Sequence, residues 1–145
     1  MSGDRHPPSF VDTNIFVYAV AEDEPERRRV AQNLLESLAE DDALLGSTQV
    51  LQELYSVLTA KIKRRFTPAQ ALDYLDRIAK APMISIDYSM IRDAARLSAR
   101  DQLSFWDALI VAAAERSGAK RLYSEDLQHG RKIHGIEVLN PFRLG

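Results

Sequence analysis

Ser9-Phe10-Val11-Asp12-Thr13-Asn14-Ile15-Phe16-Val17-Tyr18-Ala19-Val20-Ala21 decides how the rest of the chain is read. The stretch from Ser9 to Asp12 has the length and apolar centre of a short buried strand. Asp12-Thr13-Asn14 is rich in residues that cap helix N-termini, and the apolar run 15–21 that follows predicts a first helix. A strand that delivers an acid to the mouth of a helix is the opening of an α/β unit, whose ligands bind beyond the carboxyl ends of the strands.

The same alternation continues outward. Pro25 opens an amphipathic helix to about residue 39, with Val30, Leu34, Leu35 and Leu38 at helical spacing. Residues 43–46 predict a second strand, and Ser47 or Thr48 caps a helix bearing Val50, Leu51, Leu54, Tyr55 and Leu58. That helix is expected to end in the basic run Lys61-Ile62-Lys63-Arg64-Arg65. Thr67-Pro68 restarts a helix, Pro82 stops it, and 83–86 predict a third strand. Helices over 88–99 and 104–116 follow, the second ended by Gly118, then strands at 121–124 and 136–139. Short strands alternating with helices predict an α/β fold: one domain over 9–145, with a short parallel sheet of about five strands flanked by helices on both faces. Residues 1–8 read as a flexible N-terminal segment.

The chain has 145 residues, enough for one domain, with 46% hydrophobic and 28% charged residues and a formal net charge of -2. A non-enzymatic nucleic-acid binder usually carries a basic excess, so any nucleic acid must be met by local basic patches or bound cations. The absence of Cys rules out disulfides, a thiolate nucleophile and a Cys zinc site. Residues 1–9 lack the apolar stretch of a secretory signal, and the apolar runs 15–21 and 108–114 are too short to span a bilayer. The expectation is a soluble cytoplasmic protein that does not engage a membrane.

Chemistry is concentrated in acids. Asp12 ends the first strand and Asp126 lies just beyond the fourth, and each also reads as an ordinary N-cap. Glu53 borders an apolar helical stripe, where a solvated Glu is equally ordinary. Asp107 heads the most apolar helix, as a first-turn acid favoured by the macrodipole or as a buried acid needing a partner. It is expected to be the driest of the four. A site made of carboxylate oxygens suits Mg²⁺ or Mn²⁺, which polarise phosphodiesters and activate water.

Val11-Asp12-Thr13-Asn14, Gln52-Glu53-Leu54, Ser104-Phe105-Trp106-Asp107-Ala108-Leu109-Ile110 and Leu122-Tyr123-Ser124-Glu125-Asp126-Leu127 resemble, in order, the motifs of PIN-domain nucleases. Size and style most resemble the VapC toxins of toxin–antitoxin modules. The resemblance implies an Mg²⁺- or Mn²⁺-dependent endoribonuclease that cleaves single-stranded or looped RNA with metal-activated water. It implies Asp12, Glu53, Asp107 and Asp126 as catalytic, metal-binding acids. Thr13 and Asn14 would orient those acids or position substrate, although they also read as helix caps. The toxin branch implies a cognate antitoxin and a homodimer, for which residues 15–21 and the amphipathic helices offer apolar surface.

Arg131 and Lys132, close after the fourth acid, are candidates for RNA phosphate contacts. The run Lys61 to Arg65 reads equally well as cations at a helix C-terminus, and Arg27-Arg28-Arg29 as a solvated helix face. His6, His129 and His134 do not share a helix face, which disfavours a metal-free imidazole mechanism. Two other functions fit an α/β domain. One is a phosphoacceptor receiver domain with Asp87 as acceptor, although the chain lacks paired acids after the first strand and a Lys after the last. The other is a catalytically silent RNA- or protein-binding adaptor.

Overall fold

Every residue of the first strand, β1 (Ser9–Val11), is buried. Successive strand residues point to opposite faces, so a strand dry along its whole length has cover on both sides. In the computed structural model, which describes residues 4–143, β1 is also central within its sheet. Met1–Gly3 of the N-terminal segment and Leu144–Gly145 of the domain lie outside the described residues.

On one side β1 pairs in parallel with β2 (Leu44–Ser47), Phe10 lying opposite Leu45. On the other it pairs in parallel with β4 (Arg121–Tyr123), Phe10 lying opposite Leu122. β3 (Met83–Ile84) extends the sheet beyond β2, and β6 (Ile136–Leu139) extends it beyond β4, both parallel. A sixth strand, β5 (Lys132–Ile133), runs antiparallel at the outer edge of β6. The order β3-β2-β1-β4-β6-β5 puts the topological reversal between β1 and β4.

β5 adds to the expected five strands because it is only two residues long. Its hairpin turns at His134 (φ 51°) and Gly135 (φ 80°), and a left-handed His is a weaker hairpin signal than Asn-Gly. β3 is shorter than expected: the Ile86 N–H leaves the sheet and donates to the Thr48 hydroxyl at 3.1 Å.

Six helices connect the strands among the described residues: α1 (Thr13–Tyr18), α2 (Pro25–Glu40), α3 (Thr48–Ala60), α4 (Pro68–Ile78), α5 (Tyr88–Asp101) and α6 (Phe105–Arg116). Ser47 caps α3 by accepting the Val50 N–H, Thr67 and Gln70 form a capping box on α4, and Ser104 caps α6 by accepting the Asp107 N–H. α6 is buried without a break from Ala108 to Ala114, as a helix apolar all round should be. α3 stops at Ala60, so the basic run that follows forms a loop and not a last helical turn.

α1 is shorter than the apolar run suggested, and the run is consumed internally only in part, Val17, Tyr18 and Val20 staying half-buried. Ile15, Phe16, Ala19 and Ala21 are all buried in this chain's own core, so they offer no spare face to a second copy. The segment before β1 is engaged by the domain: the His6 N–H donates to Asp41 and the Pro8 carbonyl accepts the Lys120 N–H. Among the described residues no helix is long and apolar enough to cross a membrane.

The end of α1 depends on a side chain. Among the described residues the Phe16 carbonyl accepts no following backbone N–H; it accepts instead the hydroxyl of buried Tyr74, on α4, at 2.8 Å. Tyr74→Phe keeps the packing and orphans that carbonyl. It is expected to lower the unfolding free energy by about 1–2 kcal/mol, read as a lower urea midpoint with an unchanged slope. An unchanged midpoint would show that α1 does not depend on this bond.

Candidate functional site

Asp12 stands where β1 passes into α1, and only 5% of its surface is exposed. One carboxylate oxygen accepts the Thr13 N–H at 2.7 Å and the other accepts the hydroxyl of fully buried Ser124, just beyond β4, at 2.8 Å. Asp12 is therefore both the helix cap and a tie across the reversal between the two strands. Ser124 also accepts the Asp126 N–H at 3.1 Å, so the same hydroxyl sets the start of the loop carrying the fourth acid.

Thr13 does not cap α1; its hydroxyl donates to Glu53 Oε1 at 2.8 Å. Gln49, one turn before Glu53 on α3, donates its amide to Glu53 Oε2 and to the Trp106 main-chain carbonyl, each at 3.3 Å. Asp107 follows Trp106 in the first turn of α6. The four acid-bearing segments thus form one hydrogen-bonded chain: Asp126 to Ser124, Asp12, Thr13, Glu53, Gln49 and the Trp106–Asp107 turn. Asn14 faces the same cleft, with its Oδ1 buried and without a partner, as is the Oε1 of Gln49.

All four acids line a single cleft of about 800 Å³ with Asn14, Tyr18, Gln49, Lys61, Lys63 and Trp106. Among the described residues none of the four is ion-paired. Burial, then the negative charges of Asp126 and Glu53, push the Asp12 carboxyl up to about 7 against the opposing hydrogen bonds from Ser124 and Thr13. Asp126 is raised too, by burial and by Asp107 and Glu53. The driest acid is Asp12, not Asp107 as the apolar sequence of α6 suggested: Asp107 is half-buried at the open end of its helix.

Carboxylates with hydroxyl and amide oxygens beside them make a hard donor set, suited to Mg²⁺ or Mn²⁺. No three acidic or imidazole side chains among the described residues stand close enough to form a finished coordination shell. Mg²⁺ keeps several waters and takes only one or two carboxylates directly, so the open, uncompensated cleft fits it.

Other candidates lie elsewhere. Arg131 and Lys132 belong to the edge hairpin and do not line the cleft. Asp87 caps α5 by accepting the Met90 N–H, pairs with Arg116 and does not line the cleft of the four acids, which leaves a receiver-type reading without its acidic pocket. His6, His129 and His134 contact Ser37, Asn140 and Glu115 respectively, at three separate places. Arg27 is not a solvated cation: it pairs with Glu125 and lies 5.1 Å and 4.8 Å from the ring centroids of Tyr18 and Phe142. Ser124 and Gln49 were missed as ordinary polar residues; for Gln49 the available signal was its place four residues before Glu53, on the same helix face.

A family model described as PIN domain matches residues 9–133. Ribonuclease VapC23 of Mycobacterium tuberculosis is 30% identical over 118 residues, covering 81% of this chain and 91% of that protein. The crystal structure of VapC20 from the same organism, a sarcin–ricin-loop-cleaving toxin, superposes with a TM-score of 0.63 at 22% identity, covering 81% of this chain and 89% of that one. A toxin–antitoxin complex from Klebsiella pneumoniae contains a chain with a TM-score of 0.67 at 21% identity, over 92% of this chain and 97% of that one.

The Asp12 environment predicts a pH dependence in chelator. The folded state binds this proton more tightly than the unfolded chain, so stability is expected to fall as pH rises from about 4 towards 7. Asp12→Asn keeps an acceptor for the Thr13 N–H and removes the charge. Its metal-free Tm at pH 7.5 should exceed the wild type's by roughly 5 °C or more. A lower Tm, with the same pH profile as the wild type, would refute this account of Asp12.

Proposed function

The chain belongs to the PIN-domain family, and from that premise we propose that it is a divalent-metal-dependent endoribonuclease acting as the toxin of a toxin–antitoxin pair. The observation that carries this reading is the set of four acids gathered in one cleft with neutral tethers and, among the described residues, no ion-pair partner. The substrate is single-stranded or looped RNA. Asp12, Glu53, Asp107 and Asp126 hold Mg²⁺ or Mn²⁺, with Thr13 and Asn14 as supporting groups. The bound cation would neutralise phosphate charge and acidify water near neutral pH.

This chain's own residues set the geometry. Thr13 and Ser124 keep both Asp12 oxygens from rotating, while Thr13 and Gln49 hold both oxygens of Glu53. Asp126 is the most exposed of the four and faces arriving substrate. Lys61 and Lys63 line the cleft, and Lys63, Arg64, Arg65 and Arg77 line an adjoining groove of about 870 Å³. Glu22, Asp23 and Asp73 line the same groove, with Arg64 paired to Glu22 and Arg77 to Asp73, so the phosphate contacts are Lys61 and Lys63, which line the cleft itself, rather than Arg131 and Lys132. A cognate antitoxin, a homodimer and a cytoplasmic location are carried over from the toxin branch of the family. The adaptor alternative is disfavoured because a silent fold has no need to keep four mutually repelling acids.

Mg²⁺ or Mn²⁺ is expected to support cutting of an unstructured RNA, leaving 5′-phosphate and 3′-hydroxyl ends, and chelation to stop it. Asp107→Asn should lose at least about a hundredfold in rate, on the scale of a lost group that stabilises transition-state charge. In a thermal melt, Mg²⁺ should raise the Tm of the wild type and raise that of Asp107→Asn much less. Full cleavage in chelator with verified metal removal, or 2′,3′-cyclic phosphate ends, would overturn the mechanism.

A further inference from the structure

Trp106 is the only tryptophan of the chain, and it is 62% exposed although it heads the most buried helix of the fold. It lines the acidic cleft immediately before Asp107. Its placement is fixed from two sides. The main-chain carbonyl accepts the Gln49 amide that also holds Glu53, and the indole packs edge-on against half-buried Phe105, centroids 5.2 Å apart at 76°. A large aromatic ring is thus held at the lip of the site, with most of its surface in water.

Carboxylate charge that a bound cation leaves unneutralised repels a polyanion through its phosphates. Affinity at this point of the cleft is best supplied by a contact with the neutral part of the nucleotide. The ring face of an unpaired base is that part, and aromatic side chains stack on it whatever the base. Tyr18, the other aromatic lining the cleft, is already engaged by Arg27 and Phe142. The remaining exposed large apolar side chains, Tyr55, Leu72, Tyr88 and Ile91, lie outside the cleft.

We propose that Trp106 is the stacking platform for an unpaired base of the RNA beside the phosphate to be cut. The inference rests on the nuclease reading above and adds to it the group that selects single strands, since a duplex hides its base faces against one another. Trp106 binds substrate and takes no part in the proton movements.

A sole tryptophan makes the test direct. The wild-type protein in Mg²⁺, mixed rapidly with excess short unstructured RNA, should lose Trp106 emission in a fast phase before product forms. The rate of that phase should rise with RNA concentration. An RNA of equal length held in a stable duplex should leave emission unchanged. Trp106→Ala should raise KM about tenfold with a smaller effect on kcat, and Trp106→Phe, which still stacks, should stay within about threefold of the wild type. Cleavage that proceeds without any change in emission, or Trp106→Ala with a wild-type KM, would overturn the stacking role and leave the nuclease reading intact. So would a loss of dimer in sedimentation of Trp106→Ala with unaltered KM, which would assign the indole to a second copy of the chain. Failure to cut any RNA in Mg²⁺ or Mn²⁺ would remove both.

Discussion

The Asp12 carboxylate is buried at the point where the sheet reverses direction, and the site is arranged around that fact. Burying an ionisable group without a counter-charge is costly, and hydrogen bonds to neutral donors offset only part of the cost. Here the offset comes from the first amide of α1 and from Ser124. Both donors stand just beyond the carboxyl ends of the central strands β1 and β4, so a shift of either strand breaks a bond to a buried oxygen. The remainder of the cost is visible as a carboxyl pushed up to about 7. From this fixed point the other acids are set in turn, Asp126 through the second bond made by Ser124 and Glu53 through the hydroxyl of Thr13.

These tethers are all neutral, although cations are at hand. Arg27 is within reach of the fourth motif, and it pairs with Glu125 and packs on Tyr18 and Phe142, leaving the adjacent Asp126 without an ion pair. Burial first, and then the charges of Asp107 and Glu53, raise the Asp126 carboxyl, and an arginine on it would have opposed that shift. It would also have filled the place a divalent cation takes in the proposed function. Hydroxyl and amide donors fix geometry without cancelling charge, and an ion-pair tether cannot do both.

The four acids were readable as motifs because each sits beside a local structural signal: a strand end, a helix turn or a cap. The bonds that gather them were not, since Thr13 and Glu53 are 40 positions apart and Asp12 and Ser124 are 112 apart. Dryness was misjudged for a related reason. The apolar run 108–114 makes Asp107 look buried in one dimension, yet an acid in the first turn stands at the mouth of the helix. Asp12 is followed in sequence by polar Thr13 and Asn14 and is enclosed where β1 meets α1 in three dimensions. Arg27, Arg28 and Arg29 look alike in sequence, and only tertiary structure brings Tyr18 and Phe142 against the first. The parallel order of the five apolar strands followed from their alternation with helices, whereas β5, two residues at the sheet edge with no helix before its partner β6, leaves no such pattern.

The placement of positive charge turns on where α3 stops. Glu53 lies eight residues before Lys61, which at the rise of an α-helix is about 12 Å along the axis, slightly more than a Debye length at physiological ionic strength. The lysine side chains nevertheless reach the cleft that holds the acids, so a passing polyanion meets both signs there. Had α3 continued through Arg65, its cations would have been distributed around the helix axis, some of them away from the cleft. Ending at Ala60 releases the run as a loop, which brings Lys61 and Lys63 to the acidic cleft and Lys63, Arg64 and Arg65 to the groove beside it. A chain with a formal charge of -2 in this way places two lysines inside its acidic cleft, while in the groove beside it Arg64 is paired with Glu22 and Arg77 with Asp73.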